Sequence, residues 1–179
     1  FNQKFGTVSP VYTNLGMKGH NGIDFFAPDG LSVYATHDGT VTYAGLDGSN
    51  GNLIVLLTDE QFDYGDRQAH YKTLHGHLKT GTYKVTAGTK VKAGDLLALA
   101  DNTGLSTGSH LHWNMQPVAK DLVSKISYNF PPYGDFGVLK WTEKTSGSID
   151  PITLLSEPAD LLGVDLRYGQ EYSYLREKL

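Results

Sequence analysis

Apolar and polar residues alternate over short runs along the first two thirds of the chain, and glycine-rich or proline-rich turns separate the runs. Alternation at every second position is typical of strands that bury one face. Strand signals recur about every ten residues, a spacing typical of antiparallel folds. We therefore predict a mainly β fold, a small antiparallel β-sheet or sandwich. The predicted strands are 22–26, 31–36, 40–44, 52–58, 68–78, 96–100 and a strand around 110–113.

The remaining segments carry other patterns. Residues 1–19 are predicted to be an irregular entry, residues 59–67 a loop, and Asp38-Gly39 a hairpin turn. Residues 117–127 begin with a proline and place apolar residues at helical spacing, which predicts a short amphipathic helix. From residue 157 onwards we expect a terminal helix or a partly ordered tail.

Composition then limits the possible functions. The 179 residues suit one domain with or without an appendage, and a chain of this length buries roughly 70% of its unfolded surface, so a metal would be functional rather than structural. No cysteine is present, which excludes thiolate metal sites, thiol catalysis and disulfides. The net charge of -4, without a basic run, argues against nucleic acid as a partner.

No apolar stretch approaches the roughly 20 residues of a membrane helix. Because the first residue is Phe1 rather than Met, we expect a processed or excised fragment.

Two imidazoles lie two residues apart in the segment from Gly108 to Trp113. In a strand, His110 and His112 point to one face, while the apolar residues Leu111 and Trp113 point to the other. This pattern suits a metal site on the histidine face. Two polar residues on the solvated face of an ordinary strand would give the same pattern.

A second cluster lies far upstream, where His20 and Asp24 are four residues apart. Glycines at 16, 19 and 22 argue against a helix, so we place His20 on a turn and Asp24 on the strand that follows. Either residue alone could serve local hydrogen bonds. Together with one histidine of the downstream pair, they would supply the three ligands of a catalytic zinc site. The spare histidine of that pair, and one of His75 or His77, would then supply a base and an oxyanion donor.

These motifs resemble those of the M23 metallopeptidases, the lysostaphin and LytM-like group that cuts peptides of the bacterial cell wall. The HxxxD motif is His20-Asn21-Gly22-Ile23-Asp24 and the HxH motif is His110-Leu111-His112. Further similar segments are Ala27-Pro28, Asp38-Gly39-Thr40-Val41, His77-Leu78, the run from Thr103 to His112 and Ile149-Asp150-Pro151.

The resemblance implies a small antiparallel sheet with a groove between loops. It also implies that His20, Asp24 and His112 bind Zn²⁺ and that His77 and His110 are catalytic. We take His110 as the base for the water and His77 as the oxyanion stabiliser, although the two roles could be reversed. The implied partner is bacterial peptidoglycan peptide. The implied location is extracytoplasmic (secreted, periplasmic or cell-wall associated), or virion-associated if the protein is phage-encoded.

The chain also departs from the family pattern. His75 stands where the family usually has Tyr, and the loop at 59–67 is longer than usual. We divide the chain into a peptidase domain at 1–155, with an insertion at 118–148, and a C-terminal extension at 156–179. His37 is expected at the surface, and His70 is expected on the strand face opposite His77 in a structural role.

Two other functions compete with the zinc endopeptidase. A non-haem iron oxygenase also uses two histidines and a carboxylate, but its ligands usually form an HxD pair and a distant histidine. A wall-binding, activator or phage structural module could retain the fold without catalysis. Such modules usually lose ligands, whereas this chain keeps all five expected positions.

Overall fold

The computed structural model describes residues 2–17, 19–64 and 67–118. Within these residues the fold is an antiparallel β-sheet of seven strands beside a second sheet of two strands. The elements are α1 (Pro10–Asn14), β1 (Ile23–Phe26), β2 (Ser32–Tyr34), β3 (Gly39–Asp47), β4 (Gly51–Thr58), β5 (Phe62–Tyr64), β6 (Arg67–Leu78), β7 (Lys90–Val91), β8 (Leu96–Leu99) and β9 (His110–Val118). The main path of the large sheet runs β1-β9-β6-β4-β3-β7, with β5 paired to β6, and the small sheet pairs β2 with β8. This arrangement confirms the predicted mainly β fold.

The hydrophobic core lies on one face of the large sheet, where the alternate apolar residues of β1 and β9 meet the small sheet. Leu111 and Trp113 belong to this core, as the alternation in β9 predicts. The opposite face carries Asp24 and His112, which are directly paired across β1 and β9. The sequence pattern of these two strands therefore divides the sheet into a core face and a face with polar chemistry. The core also includes Ile23, Phe25, Val33, Ala35, Ile54, Leu56, Tyr71, Leu97, Ala98 and Met115.

A β-bulge interrupts the pairing of β4 with β6. His75 pairs with Ile54 and Leu78 pairs with Asn52, so two residues of β6 lie opposite one residue of β4. His77, at this bulge, has a φ of 60° and is the one non-glycine residue with positive φ in the described part of the chain. A left-handed conformation costs a residue with a side chain of the order of 1 kcal/mol. The bulge changes the face on which His77 lies.

Strict alternation placed His75 and His77 on one strand face and His70 on the other, and the bulge makes this prediction wrong. His75 is fully buried, and it pairs with the core residue Trp113. His77 contacts His112 and so lies on the polar face. His70 shares that face by alternation, but it pairs with Val118, and its Nδ1 donates to the carbonyl of Thr58 at 2.9 Å. This hydrogen bond agrees with the structural role predicted for His70.

Three local predictions are also wrong. Asp38-Gly39 does not form a hairpin, because β2 pairs with β8 while β3 pairs with β4 and β7. Part of the predicted loop 59–67 forms β5, which pairs back on β6. The entry segment contains the short helix α1, which buries none of its residues and so leaves no apolar periodicity in the sequence.

The predicted helix 117–127 is wrong at its start, since β9 continues through Pro117 to Val118. Pro117 pairs with Tyr71 of β6, and β1 pairs with β9 only as far as Trp113. In the described part of the sheet, β9 is therefore an edge at Pro117, where the missing N–H group of proline is tolerated. The rest of that helix, the insertion 118–148 beyond its first residue, the segment Ile149-Asp150-Pro151 and the C-terminal extension lie outside the described residues.

His37 is buried, whereas the sequence placed it at the surface. Its Nδ1 donates to the carbonyl of Asp38 at 2.9 Å, and its Nε2 accepts from the hydroxyl of Thr73, also at 2.9 Å. With both ring nitrogens bonded in this way the imidazole is neutral. Burial lowers the pKa of His37 below the usual value of a histidine, which also favours the neutral form.

Candidate metal centre and groove

Three side chains of the polar face converge on one point. Nδ1 of His112 lies 2.9 Å from Oδ1 of Asp24, and Nε2 of His20 lies 3.1 Å from the same oxygen. The two nitrogens are themselves 3.0 Å apart. All three residues are buried. The structure thus brings together the three residues that the resemblance implies as metal ligands, and they form one compact triangle of donor atoms.

Backbone pairing positions each corner of this triangle. Asp24 and His112 are direct partners in β1 and β9, so the register of the two strands fixes their separation. His20 precedes β1 and is held from the N-terminal segment, where the carbonyl of Lys4 lies 3.1 Å from its Nδ1. Because a carbonyl only accepts, Nδ1 of His20 carries the hydrogen, and its Nε2 faces Asp24 with a free lone pair.

Gly22 allows the close packing beside His112. A Cβ atom at this position would lie 2.4 Å from the carbonyl oxygen of Trp113 and 2.8 Å from Cε1 of His112. Both distances are shorter than real contacts of a Cβ atom. The glycine of the HxxxD segment is therefore required by the neighbouring strand and by the ring of His112.

The electrostatics of the triangle favour a carboxylate at Asp24 and a neutral imidazole at His112. Burial alone would raise the pKa of Asp24, but the close approach of the His112 and His20 rings outweighs it, so the pKa lies far below its usual value. Burial lowers the pKa of His112, although the hydrogen bond with Asp24 opposes this shift. A carboxylate and two neutral imidazoles are the protonation states that bind a divalent metal.

The chemistry of the three donors fits zinc. Catalytic zinc sites commonly use three protein ligands of nitrogen and oxygen type and leave one position open. In a tetrahedral site with bonds of about 2.0–2.1 Å, the ligand atoms are roughly 3.3 Å apart. The separations of 2.9–3.1 Å between the three donors are close to that value.

The two remaining histidines of the predicted site lie beside the triangle. The ring centroids of His77 and His110 are 4.5 Å apart, and Nε2 of His110 is 3.5 Å from Oδ1 of Asp24. Nδ1 of His77 donates to the carbonyl of Thr103 at 2.6 Å, and Nδ1 of His110 donates to the carbonyl of Gly108 at 2.8 Å. Each ring therefore keeps a Nε2 lone pair available to accept a proton. Burial, reinforced by neighbouring His112, lowers the pKa of His77 to about 4.

A groove of about 730 Å³ opens over these five residues. One wall is the N-terminal segment with α1, including Val11 and Leu15, and the other comes from the loop before β9, including Leu105. Val11 and Leu105 are each more than half exposed. The groove thus combines a polar floor with side walls that include exposed apolar side chains, which suits a peptide-like ligand.

Sequence reasoning missed two residues of this site. Tyr12 of α1 stacks on His20 with ring centroids 5.4 Å apart, and burial together with the charge of Asp24 raises its pKa to about 12. No motif or periodicity marks this tyrosine. Thr103 belongs to a segment that the resemblance already singled out, but its bond to the ring of His77 depends on a tertiary contact between loops that the sequence does not show.

A comparison with known families decides the classification. The sequence model of peptidase family M23 matches residues 18–123, more than half of the chain. The chain belongs to this family. All five residues implied by the resemblance lie inside the matched M23 segment.

Curated relatives of this M23 chain are bacterial proteins. The DD-carboxypeptidase/endopeptidase Mpg of Neisseria meningitidis is 36% identical over 104 residues, which cover 55% of this chain and 21% of the relative. The peptidoglycan DD-endopeptidase ShyB of Vibrio cholerae is 34% identical over 124 residues, which cover 62% of this chain and 26% of the relative. An uncharacterized metalloprotease of Haemophilus influenzae is 36% identical over 94 residues. The matches span about a fifth to a quarter of the length of the first two relatives.

Solved structures agree with the M23 fold. The catalytic domain of lysostaphin from Staphylococcus simulans superposes with a TM-score of 0.59 at 24% identity, covering 87% of this chain and 90% of that one. The structure of LytU gives a TM-score of 0.58 at 25% identity, covering 89% of this chain and 86% of that one. Both likenesses concern the fold. No helix in the described part of the chain has the length and apolar character needed to span a membrane.

Proposed function

We propose that this chain is a zinc-dependent endopeptidase that hydrolyses peptide bonds in bacterial peptidoglycan. The observation that carries the proposal is the convergence of His20, Asp24 and His112 within 2.9–3.1 Å, with two further histidines beside them at the bottom of a groove. Curated relatives in the same family are named peptidoglycan DD-endopeptidases, which supports peptidoglycan as the substrate and a bond between D-configured residues as the target. In this proposal the protein acts outside the cytoplasm (secreted, periplasmic or cell-wall associated), or in a virion if it is phage-encoded.

His20, Asp24 and His112 would hold the zinc ion. Bound there, zinc would polarise the scissile carbonyl and lower the pKa of water from about 15.7 to roughly 7. The remaining requirements fall on the protein, which needs a base for the water and a donor for the charge that develops on the carbonyl oxygen.

His110 is the proposed base. Its Nδ1–H is fixed by the carbonyl of Gly108, so its Nε2 faces Asp24 with a lone pair that takes the proton of the attacking water. Ser106 supports this ring, because its hydroxyl lies 3.1 Å from Nδ1 of His110 while it donates to the carbonyl of Gly108. The oxygen of the water adds to the carbonyl carbon, and His110 then passes the proton to the leaving nitrogen. The bond breaks to give a carboxylate and an amine.

His77 is the proposed partner for the oxyanion. With its Nδ1–H bound to Thr103, it donates to the substrate only from a protonated Nε2. Its pKa of about 4 keeps it neutral at neutral pH, so this proton would be the second proton of the attacking water, which His77 releases to solvent when the carboxylate product leaves. The same lone pair makes His77 competent as a base, and the two histidines could exchange roles without a change in the rest of the proposal.

Digestion of purified peptidoglycan tests the proposal. Diaminopimelate-type and glycine-bridged walls would be incubated with the protein, with and without a zinc chelator, and product masses compared. We expect new peptide ends from the protein with zinc and none after chelation. His110→Ala should bind zinc but form no product. If the protein bound zinc and cut neither wall, the proposal would be rejected in favour of a wall-binding or activator module.

A further inference from the structure

The bulge that carries His77 is fixed by two polar residues from other segments. We infer that Thr103 and Asn52 are positioning residues for His77, which hold its backbone in the left-handed conformation and aim its ring into the groove. This inference deepens the proposed function and rests on the role proposed there for His77. The two residues act through hydrogen bonds among β4, β6 and the loop before β9.

His77 itself is held at three points. Its backbone N–H donates to the carbonyl of Asn50 at 2.8 Å, and its carbonyl accepts from the backbone N–H of Asp101 at 3.0 Å. The ring is fixed by the 2.6 Å bond from Nδ1 to the carbonyl of Thr103. A residue keeps an unfavourable backbone conformation only where its surroundings fix that conformation. These three hydrogen bonds fix the conformation of His77.

Thr103 connects the ring contact to the backbone around the bulge. Its hydroxyl accepts from the backbone N–H of Asn52 at 3.0 Å and donates to the carbonyl of Leu78 at 2.8 Å. Leu78 follows His77 directly, and Asn52 lies opposite Leu78 in β4. Thr103, whose carbonyl binds the ring of His77, is therefore hydrogen-bonded to both strands at the bulge.

Asn52 completes the arrangement from the buried side of β4. Its Nδ2 donates to the carbonyl of Leu78 at 3.1 Å and to the hydroxyl of Thr80 at 2.8 Å, and the residue is only 7% exposed. An amide supplies two donors for these two acceptors, whereas an ionised carboxylate of the same shape supplies none. The carbonyl of Leu78 would then face a negative charge instead of a donor.

Close packing of two glycines brings these segments together. A Cβ atom at Gly51 would lie 2.4 Å from the backbone carbon of Thr103, and one at Gly104 would lie 2.3 Å from the backbone nitrogen of Gly51. The loop before β9 therefore lies directly on the start of β4. This contact places the carbonyl of Thr103 within reach of His77.

Loss of this arrangement should affect catalysis more than binding. The three proposed metal ligands are His20, Asp24 and His112, whereas the position of Nε2 in His77 depends on the backbone at the bulge. A displacement of about 1 Å in a group near the reacting atoms can reduce a rate by about 100-fold. Thr103 and Asn52 should therefore influence kcat through the orientation of His77.

A matched pair of variants tests the inference in the full chain. Thr103→Val removes the hydroxyl and keeps the backbone carbonyl that binds His77. Thr82→Val is the control, because the hydroxyl of Thr82 has the same double role, accepting from the backbone N–H of Leu99 at 3.1 Å and donating to the carbonyl of Lys79 at 2.8 Å, without contact to His77. Kinetics on a peptidoglycan peptide, zinc content and the NMR signal of the Nδ1–H of His77 would be measured for each.

We expect Thr103→Val to lower kcat by about tenfold or more, with KM and zinc content unchanged, and Thr82→Val to retain kcat within about twofold. Thr103→Ser should restore the rate because it restores the hydroxyl. Asn52→Asp should reproduce the loss and replaces Thr103→Val if that variant does not fold. Equal kcat values for Thr103→Val and Thr82→Val, or no recovery with Thr103→Ser, would overturn the inference.

The NMR signal separates this inference from the proposed function. If the parent protein cuts no peptidoglycan, the proposed function fails, and the Nδ1–H of His77 still decides whether the two residues position the ring. Loss or a large shift of this signal in Thr103→Val, with retention in Thr82→Val, would support the positioning role. An unchanged signal in both variants would refute it.

Discussion

Asp24 and His112 are direct cross-strand partners, and their side chains meet at 2.9 Å on the face of the sheet away from the core. The geometry of the proposed metal centre is therefore part of the register between β1 and β9. A shift of one residue in this pairing would turn one of the two side chains into the core. The pairing of β1 with β9 therefore also brings the side chains of Asp24 and His112 together.

Replacement of the shared carboxylate should abolish metal binding. In Asp24→Asn the side chain keeps its size but loses the negative charge that both imidazoles contact. We expect metal affinity to fall far more than the roughly 100-fold that loss of an outer partner can cost, because a proposed ligand is itself lost. Metal content after dialysis and the Tm with and without chelator would show this. The parent should lose several degrees of Tm on chelation, because metal binding at about 1,000 times Kd stabilises by roughly 4 kcal/mol.

In Asp24→Asn the chelator should leave Tm unchanged. One bound metal per chain in this variant, with a Tm that still responds to chelation, would contradict the ligand assignment. His37→Asn is a suitable comparison, because His37 is buried but lies outside the triangle of donor atoms.

Removal of residues 1–6 should weaken the metal site without removing a ligand. The carbonyl of Lys4 orients His20, and the segment also pairs with the backbone of Asp24 through Asn2 and Gln3. Loss of an outer partner of a ligating histidine typically costs 10–100-fold in metal affinity. Competition with a chelating dye would measure the change. An affinity equal to that of the full chain would mean that Lys4 does not orient the ring.

His75 should make the protein sensitive to acid. Burial lowers the pKa of this histidine to about 3, and neither ring nitrogen has a well-formed hydrogen bond within the described residues. Between about pH 6.5 and pH 3 the unfolded chain binds a proton at this position that the folded chain does not bind. The free energy of unfolding should therefore fall as pH falls below about 6.5, by about 1.4 kcal/mol per pH unit. Above that pH, His75 should add nothing to the pH dependence of the free energy of unfolding.

His75→Phe isolates this effect from that of the other histidines. Urea unfolding of the parent and the variant would be compared at about pH 7 and about pH 5. The variant should gain about 2 kcal/mol relative to the parent over this interval, because only the parent has the buried imidazole. A difference between the two proteins that is the same at both pH values would show that His75 is protonated equally in the folded and unfolded states.

The contact of the loop before β9 with β4 should not tolerate a side chain. Gly104 has a φ of 80° and no room for a Cβ atom beside Gly51. We expect Gly104→Ala to lower the free energy of unfolding by about 2–4 kcal/mol. Gly81→Ala is the matched control, since Gly81 has a φ of 76° with open space around it and should lose only about 1 kcal/mol. Equal losses of unfolding free energy for the two variants in urea titrations would mean that the positive φ alone causes the destabilisation.

The alternation of residues was sufficient to predict the strands that build the site. In β9 it placed His110 and His112 on one face and Leu111 and Trp113 on the other, as the structure has them. Alternation could not predict the position of His77. A bulge adds one residue to a strand without a mark in the hydrophobic pattern, so the expected face was wrong for this residue.

Local signals also failed where tertiary contacts decide the outcome. Asp38-Gly39 has the composition of a hairpin turn, but β2 finds its partner in β8 more than sixty residues later. His37 appeared polar and exposed, yet Thr73 of β6 and its own following carbonyl satisfy both of its nitrogens in the interior. The helix predicted from Pro117 failed because pairing with β6 outweighs local propensity in the last residues of β9.

The separation of 88 residues between Asp24 and His112 has a consequence during synthesis. The first two members of the donor triangle leave the ribosome long before the third, and β9 is the strand that lies between β1 and β6. A chain that ends before His112 therefore lacks one member of the donor triangle. Contacts that close such long loops form slowly, since the entropy of closure must be met before they stabilise the fold. In this topology the donor triangle is complete only after β9 has paired with β1.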